Sequence, residues 1–189
     1  MNNELIYQIA LTQIPLIGDV HAKNLMHVFG EASAVFKASR KQLECIDGIG
    51  KIKAASIKSF SCFNEIEDEI RFIEKYRITP LFINHPDYPK RLLHCYDNPV
   101  MLYYRGNTNL NSDKIITIVG TRNNSEYGKI ICEKFVAALQ HQNVVIVSGL
   151  AFGIDSIAHK SAVKNNIPTI GVLAHGLDRI YPSQNKTLA

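Results

Sequence analysis

Ile115-Ile116-Thr117-Ile118-Val119-Gly120 is an apolar run of strand length that stops at a glycine. Val144-Val145-Ile146-Val147 repeats the pattern and ends in Ser148-Gly149, and Thr169-Ile170-Gly171-Val172-Leu173 forms a third run. None alternates apolar with polar residues, so each strand is expected to be buried on both faces. Helix-length segments, 125–142 and 154–165, separate them. Strand, helix, strand, helix, strand in that order predicts right-handed βαβ units. The expected fold is α/β: a Rossmann-like parallel sheet covered on both faces.

Upstream the pattern changes. Residues 79–83 and 100–104 read as short strands, with Pro86, Pro89 and Pro99 breaking the chain into turns between them. Residues 64–76 read as an amphipathic helix, with Ile66, Ile70 and Ile73 on one face and Glu65, Glu67, Asp68 and Glu69 on a solvated one. The first sixty residues carry helical patterns and an internal repeat. Leu43 to Ala54 matches Leu11 to Ala22 in apolar spacing at an offset of 32 positions. Both copies read as helix, tight turn, helix, with a glycine permitting the turn, which is the pattern of a helix-hairpin-helix pair. The expected division is a small all-α, SAM-like helical domain with its linker helix over 1–78, and the Rossmann-like domain over 79–189.

The two hairpins differ in chemistry. Gly48 and Gly50 leave bare N–H groups at the start of a helix, and Lys51 and Lys53 add positive charge beside them. In the first copy Leu16 replaces the leading glycine and Asp19 stands where Lys51 stands in the second, so a carboxylate would repel a phosphate. The first copy reads as structural. The second fits either a DNA-backbone contact or simple helix packing.

Bulk composition narrows the class. The chain has 189 residues, 46% hydrophobic and 20% charged, with a net charge of +4, as in a globular protein that tolerates a polyanionic partner without demanding one. Cys45, Cys62, Cys95 and Cys132 are scattered, with no metal-ligand spacing, and are expected to be reduced and partly buried thiols. No signal peptide or membrane-length apolar run is visible, so the expected location is cytoplasmic, with no membrane partner.

In open parallel sheets ligands bind beyond the carboxyl ends of the strands. Two loops fall there. Gly120-Thr121-Arg122-Asn123-Asn124-Ser125-Glu126-Tyr127-Gly128 offers a guanidinium able to grip phosphate and hydroxyls at a helix N-terminus. Ser148-Gly149-Leu150-Ala151-Phe152-Gly153-Ile154-Asp155 brings backbone N–H groups ahead of a helix, and Phe152 could stack on a base. Against this, glycine-rich turns are common in α/β folds for steric reasons, and Arg122 or Phe152 could be ordinary surface and packing residues. Neither loop is a dinucleotide or P-loop fingerprint. Asp155 and His159 share a helical face without a third ligand, so a structural pair, with His159 hydrogen-bonded to Asp155, is the favoured reading. No nucleophile elbow surrounds Ser148. No cofactor, metal or catalytic residue is expected.

Taken together, Ile118-Val119-Gly120-Thr121-Arg122, Ser125 to Gly128, Ser148 to Asp155 with Ala158-His159, Val172 to Asp178, Tyr181-Pro182 and Asn185 closely resemble the DNA-processing protein A family (DprA, also called Smf). The likeness extends back through Tyr88 to Leu92 and Asp97 to Tyr103, with Asn98 and Ala174 where the family commonly has proline and glycine. It implies a recombination mediator that coats incoming single-stranded DNA during natural transformation and helps load the RecA recombinase. It also implies that the family continues past Ala189, so the chain is expected to be an N-terminal fragment, with RecA contact and homodimerisation partly lost. The residues expected to bind nucleic acid are Gly120, Thr121, Arg122, Ser125, Tyr127 and Gly128 in the first loop. In the second they are Ser148, Gly149, Leu150, Ala151, Phe152, Gly153 and Asp155, with His159 and Lys160 on the following helix. The rival reading is a nucleotide-processing Rossmann enzyme that uses the same anion pocket, and a third is a helical domain serving only to dock a protein.

Overall fold

The computed structural model describes residues 3–188. They fall into two compact units, one running to Gly106 and one starting at Asn107.

The first unit opens with α1 (Asn3–Gln13), α2 (Asp19–Phe29), α3 (Ala32–Lys37), α4 (Arg40–Glu44), α5 (Lys51–Ser59) and α6 (Phe63–Lys75). The repeat at an offset of 32 is real in three dimensions. In each hairpin two isoleucines are buried, Ile14 and Ile17 in one, Ile46 and Ile49 in the other. A backbone bond closes each turn, Ile17 N to Ile14 O at 3.2 Å and Ile49 N to Ile46 O at 2.9 Å. Gly18 and Gly50 then stand as extended N-caps of α2 and α5. The amphipathic helix expected over 64–76 is α6, which buries Ile66, Ile70 and Ile73.

Two strands, β1 (Thr79–Phe82) and β2 (Met101–Tyr104), pair antiparallel in this same unit. Polar bonds tie their connection to the helices. Asp19 Oδ1 accepts the Val100 N–H at 2.8 Å, so the carboxylate of the first hairpin serves the chain's own backbone. Asn98 is buried; its Nδ2 donates to Tyr88 Oη at 3.1 Å, and its Oδ1 accepts from Lys23 Nζ at 2.8 Å. Tyr88 Oη in turn donates to Pro99 O at 2.5 Å. The asparagine side chain supplies both a donor and an acceptor to this network.

The second unit contains β3 (Ile115–Thr117), α7 (Glu126–Ala138), β4 (Val145–Ser148), α8 (Ile154–Lys164) and β5 (Thr169–Gly171). The strands are parallel in the order β3-β4-β5, with Ile116 opposite Ile146 and Val147 opposite Ile170. The Rossmann-like reading therefore stands, with one correction. Both helices lie on the same face: Cys132 and Val136 from α7, Ala158 and Ala162 from α8, and Ile116 and Ile146 from the strands share one apolar cluster. The cause is topological, because successive right-handed crossovers between neighbouring strands in sequential order place each helix on the same side. Covering both faces requires a reversal of strand order, and none occurs among the described residues. Val147 and Ile170, which alternate away from that cluster, are only half-buried.

The cysteines are free, and the expectation of partial burial holds for Cys132 alone; Cys45, Cys62 and Cys95 are exposed. No helix among the described residues is long and apolar enough to cross a membrane.

Candidate functional site

The two loops singled out in the sequence both leave the carboxyl ends of parallel strands, and they touch. Gly153 has φ +78°, and a Cβ there would overlap Thr121 O and come within 2.7 Å of Arg122 O. The Ile154 N–H donates to Thr121 O at 3.2 Å, so the first loop caps the helix that the second loop starts. Gly120 completes the fit, since a Cβ on it would lie 2.7 Å from Ile154 Cβ. Glycine stands at 153 because the first loop's carbonyls leave no room for a Cβ, and at 120 because the Ile154 side chain fills that space.

In the first loop Thr121, Arg122, Ser125 and Tyr127 are exposed. Ser125 is the N-cap of α7, its Oγ accepting the Gly128 N–H at 3.1 Å, which leaves the hydroxyl proton for another acceptor. Thr121 Oγ1 accepts the Asn123 N–H at 3.2 Å and so shapes the loop.

The second loop is divided between surface and interior. Phe152 is 41% exposed, and Lys160 is exposed on α8. Ser148, Leu150, Asp155 and His159 are buried. Ser148 Oγ donates to Ile118 O at 2.7 Å, joining β4 to the end of β3. Asp155 lies beneath the loop, its Oδ2 2.7 Å from where a Gly149 Cβ would stand. The carboxylate suits the positive end of α8.

His159 does not pair with Asp155 by hydrogen bond, as the sequence reading had it. Its Nδ1 lies 2.7 Å from Thr169 Oγ1, whose own proton goes to Ile146 O at 3.1 Å. Its Nε2 is buried with no hydrogen-bond partner among the described residues. Burial pushes the imidazole below its ordinary value of 6.5, against smaller opposing effects of Asp155 and the Ser148 backbone.

Sequence reasoning missed the residues that hold this loop from behind. Asn185 is 3% exposed, and its Nδ2 donates to Leu150 O at 2.8 Å and to Ser156 Oγ at 2.7 Å. Ser156 Oγ donates to Ala151 O. A buried asparagine 35 positions downstream leaves no periodic signal; its only trace was its place in the family-like pattern.

In the helical unit, Gly48 holds φ +76° and Gly50 caps α5, the same backbone geometry that Leu16 (φ +68°) and Gly18 hold in the first hairpin. Lys51 is exposed, whereas Lys53 Nζ reaches back to Gly48 O at 2.8 Å and His21 Nε2 at 2.7 Å. A separate cleft of about 700 Å³ lies at the amino ends of β4 and β5, lined by Asn107, Asn143, Asn166 and Pro168. It is at the opposite end of the strands from the two loops.

Comparison with known proteins matches this geometry to a family. The profile described as DNA recombination-mediator protein A covers residues 79–189, and that of the helix-hairpin-helix motif covers residues 9–69. The profile thus begins at β1, whereas the compact units divide after Gly106. The chain is 40% identical over 147 residues to the DNA processing protein DprA of Bacillus subtilis, covering 74% of this chain and 48% of that protein. It is 34% identical over 195 residues to Protein Smf of Synechocystis sp., covering 99% of this chain and 48% of that one. An X-ray structure of DNA processing protein A from Streptococcus pneumoniae superposes with a TM-score of 0.69 at 29% identity, over 97% of this chain and 62% of that chain. The chain thus spans about half the length of these two curated relatives.

Proposed function

We propose that this chain, which belongs to the DNA recombination-mediator protein A family (DprA/Smf), binds single-stranded DNA at the paired loops of its second unit. The observation that supports this best is the contact of Gly153 with the carbonyls of Thr121 and Arg122. It brings a guanidinium-bearing loop and a helix N-terminus to one sheet edge. Arg122 supplies charge for phosphate, the Ser125 hydroxyl a neutral donor, and Phe152 an exposed ring on which a base can stack. Stacking tolerates any base, as a protein that coats incoming DNA requires.

On this reading the protein acts in the cytoplasm by binding and not by catalysis. It protects DNA during natural transformation and hands it to RecA, with a second copy of the chain as a further partner. The hairpin at Gly48 and Gly50, with Lys51 beside it, adds a DNA-backbone contact. The test is a fluorescence-anisotropy titration of labelled oligothymidine with a duplex competitor. Salt-sensitive binding that duplex fails to displace is the expected result; a folded chain that does not bind overturns the proposal.

A further inference from the structure

We propose that Asn185 and Ser156 form a clamp that aims the N–H groups of Ala151 and Phe152 at a bound phosphate, making Asn185 a positioning residue for the site. The inference rests on the single-stranded DNA reading and names the part of the site that reads the backbone.

The geometry follows from peptide planarity. In a trans peptide the C=O and the next N–H point in opposite directions. Leu150 O is held by Asn185 Nδ2 at 2.8 Å, so the Ala151 N–H points away from Asn185. Ala151 O is held by Ser156 Oγ, so the Phe152 N–H points away from the same buried pair. Among the described residues neither amide donates to another backbone group. Two successive N–H groups turned the same way form a concavity for an anion.

The clamp also holds an unfavourable backbone in place. Leu150 has φ +60°, in the left-handed region, and Gly153 has φ +78°. Such a conformation persists in leucine only when its surroundings enforce it. Here the Leu150 side chain is buried and its carbonyl is fixed by an amide that is itself 3% exposed. Both Asn185 Nδ2 protons are in use, one on Leu150 O and one on Ser156 Oγ. Aspartate at 185 cannot donate either bond and would set a carboxylate against the Leu150 carbonyl.

The experiment combines oligothymidine anisotropy over a salt series with amide spectra of the 15N-labelled chain, for wild type, Asn185→Ala, Asn185→Asp and the milder Ser156→Ala. Neutral amides release no counterions, so Asn185→Ala is expected to weaken binding about ten-fold at every salt concentration without changing the salt slope. Asn185→Asp should weaken it further. In wild type the Ala151 and Phe152 amides should shift on adding DNA, and in Asn185→Ala that shift should disappear. Unchanged affinity in Asn185→Ala and Ser156→Ala, with both amides unmoved in the free protein, overturns the clamp while leaving the DNA reading in place. If wild type does not bind oligothymidine, the DNA reading falls and titration with inorganic phosphate judges the clamp. Shifts of those two amides in wild type but not in Asn185→Ala support it, and no shift in either overturns it.

Discussion

Leu16 and Gly48 hold the same left-handed backbone, φ 68° and 76°, at equivalent points of two hairpins 32 residues apart. Only one of the two residue types suits the position. A leucine there is strained by roughly 1–2 kcal/mol, while glycine loses about 0.5–1 kcal/mol more backbone entropy on folding. Leu16 is 62% exposed, so replacing it forfeits little packing. Leu16→Gly is expected to stabilise the chain by about 0.5 kcal/mol, read as a rise in Tm of roughly 1–2 °C. Gly48→Ala should do the reverse by about 1–2 kcal/mol, since its Cβ would also press within 3.3 Å of the His21 ring. A lower Tm for Leu16→Gly contradicts the strain argument.

Gly153→Ala tests whether the two loops must touch. The new Cβ would overlap Thr121 O while the backbone is held at φ +78°. Backbone has to move, and the expected loss is about 2–4 kcal/mol in a chemical-denaturation midpoint analysis. The remaining folded protein should bind oligothymidine poorly, because the Arg122 loop is displaced. Wild-type stability in this variant would mean that the loops are not in contact in solution.

His159 gives the stability a pH dependence of defined sign. Burial lowers its folded pKa below the ordinary 6.5, so over the window just below 6.5 the unfolded chain binds more protons than the folded one. The contribution is fully present above about 6.5 and is lost as pH falls towards the folded value. Thermal melts from pH 7.5 to 5 should show a falling Tm. His159→Asn, which keeps a polar group near the Thr169 hydroxyl, should flatten that part of the curve. An identical slope in the variant assigns the effect to other groups.

A binding protein and a nucleotide enzyme differ in product. Incubation with nucleoside monophosphates is expected to release no free base, since Asp155 and His159 are both buried. Steady release of base abolished by Asp155→Asn would replace the proposal with an enzymatic one.

Much of this architecture was legible in the residues. Unbroken apolar runs at 115–119, 144–147 and 169–173 announced parallel strands, and the isoleucine-glycine repeat announced the hairpin pair. The one-sided covering of the sheet was not legible, because strand order is a long-range property that apolar runs do not encode. Nor was the division of the second loop. Ser148, Leu150 and Asp155 read as one glycine-flanked motif with Phe152, and His159 as its neighbour on the following helix, yet all four are buried. Lys53 looked like a free charge until His21, at the equivalent place 32 residues earlier, turned out to receive it. Asn185 illustrates the general difficulty: a hydrogen-bond clamp needs only one residue, and one residue makes no pattern.

The most direct test of phosphate recognition at the paired loops is the salt dependence of oligothymidine affinity in wild type and Arg122→Ala. Each neutralised phosphate contributes roughly −0.7 to the slope of log K against log salt for single strands. Arg122→Ala should therefore bind more weakly and show a slope shallower by about 0.7, whatever the oligonucleotide sequence. A variant with wild-type affinity and an unchanged slope would contradict the assignment of Arg122 to phosphate, and with it the placement of DNA at these loops.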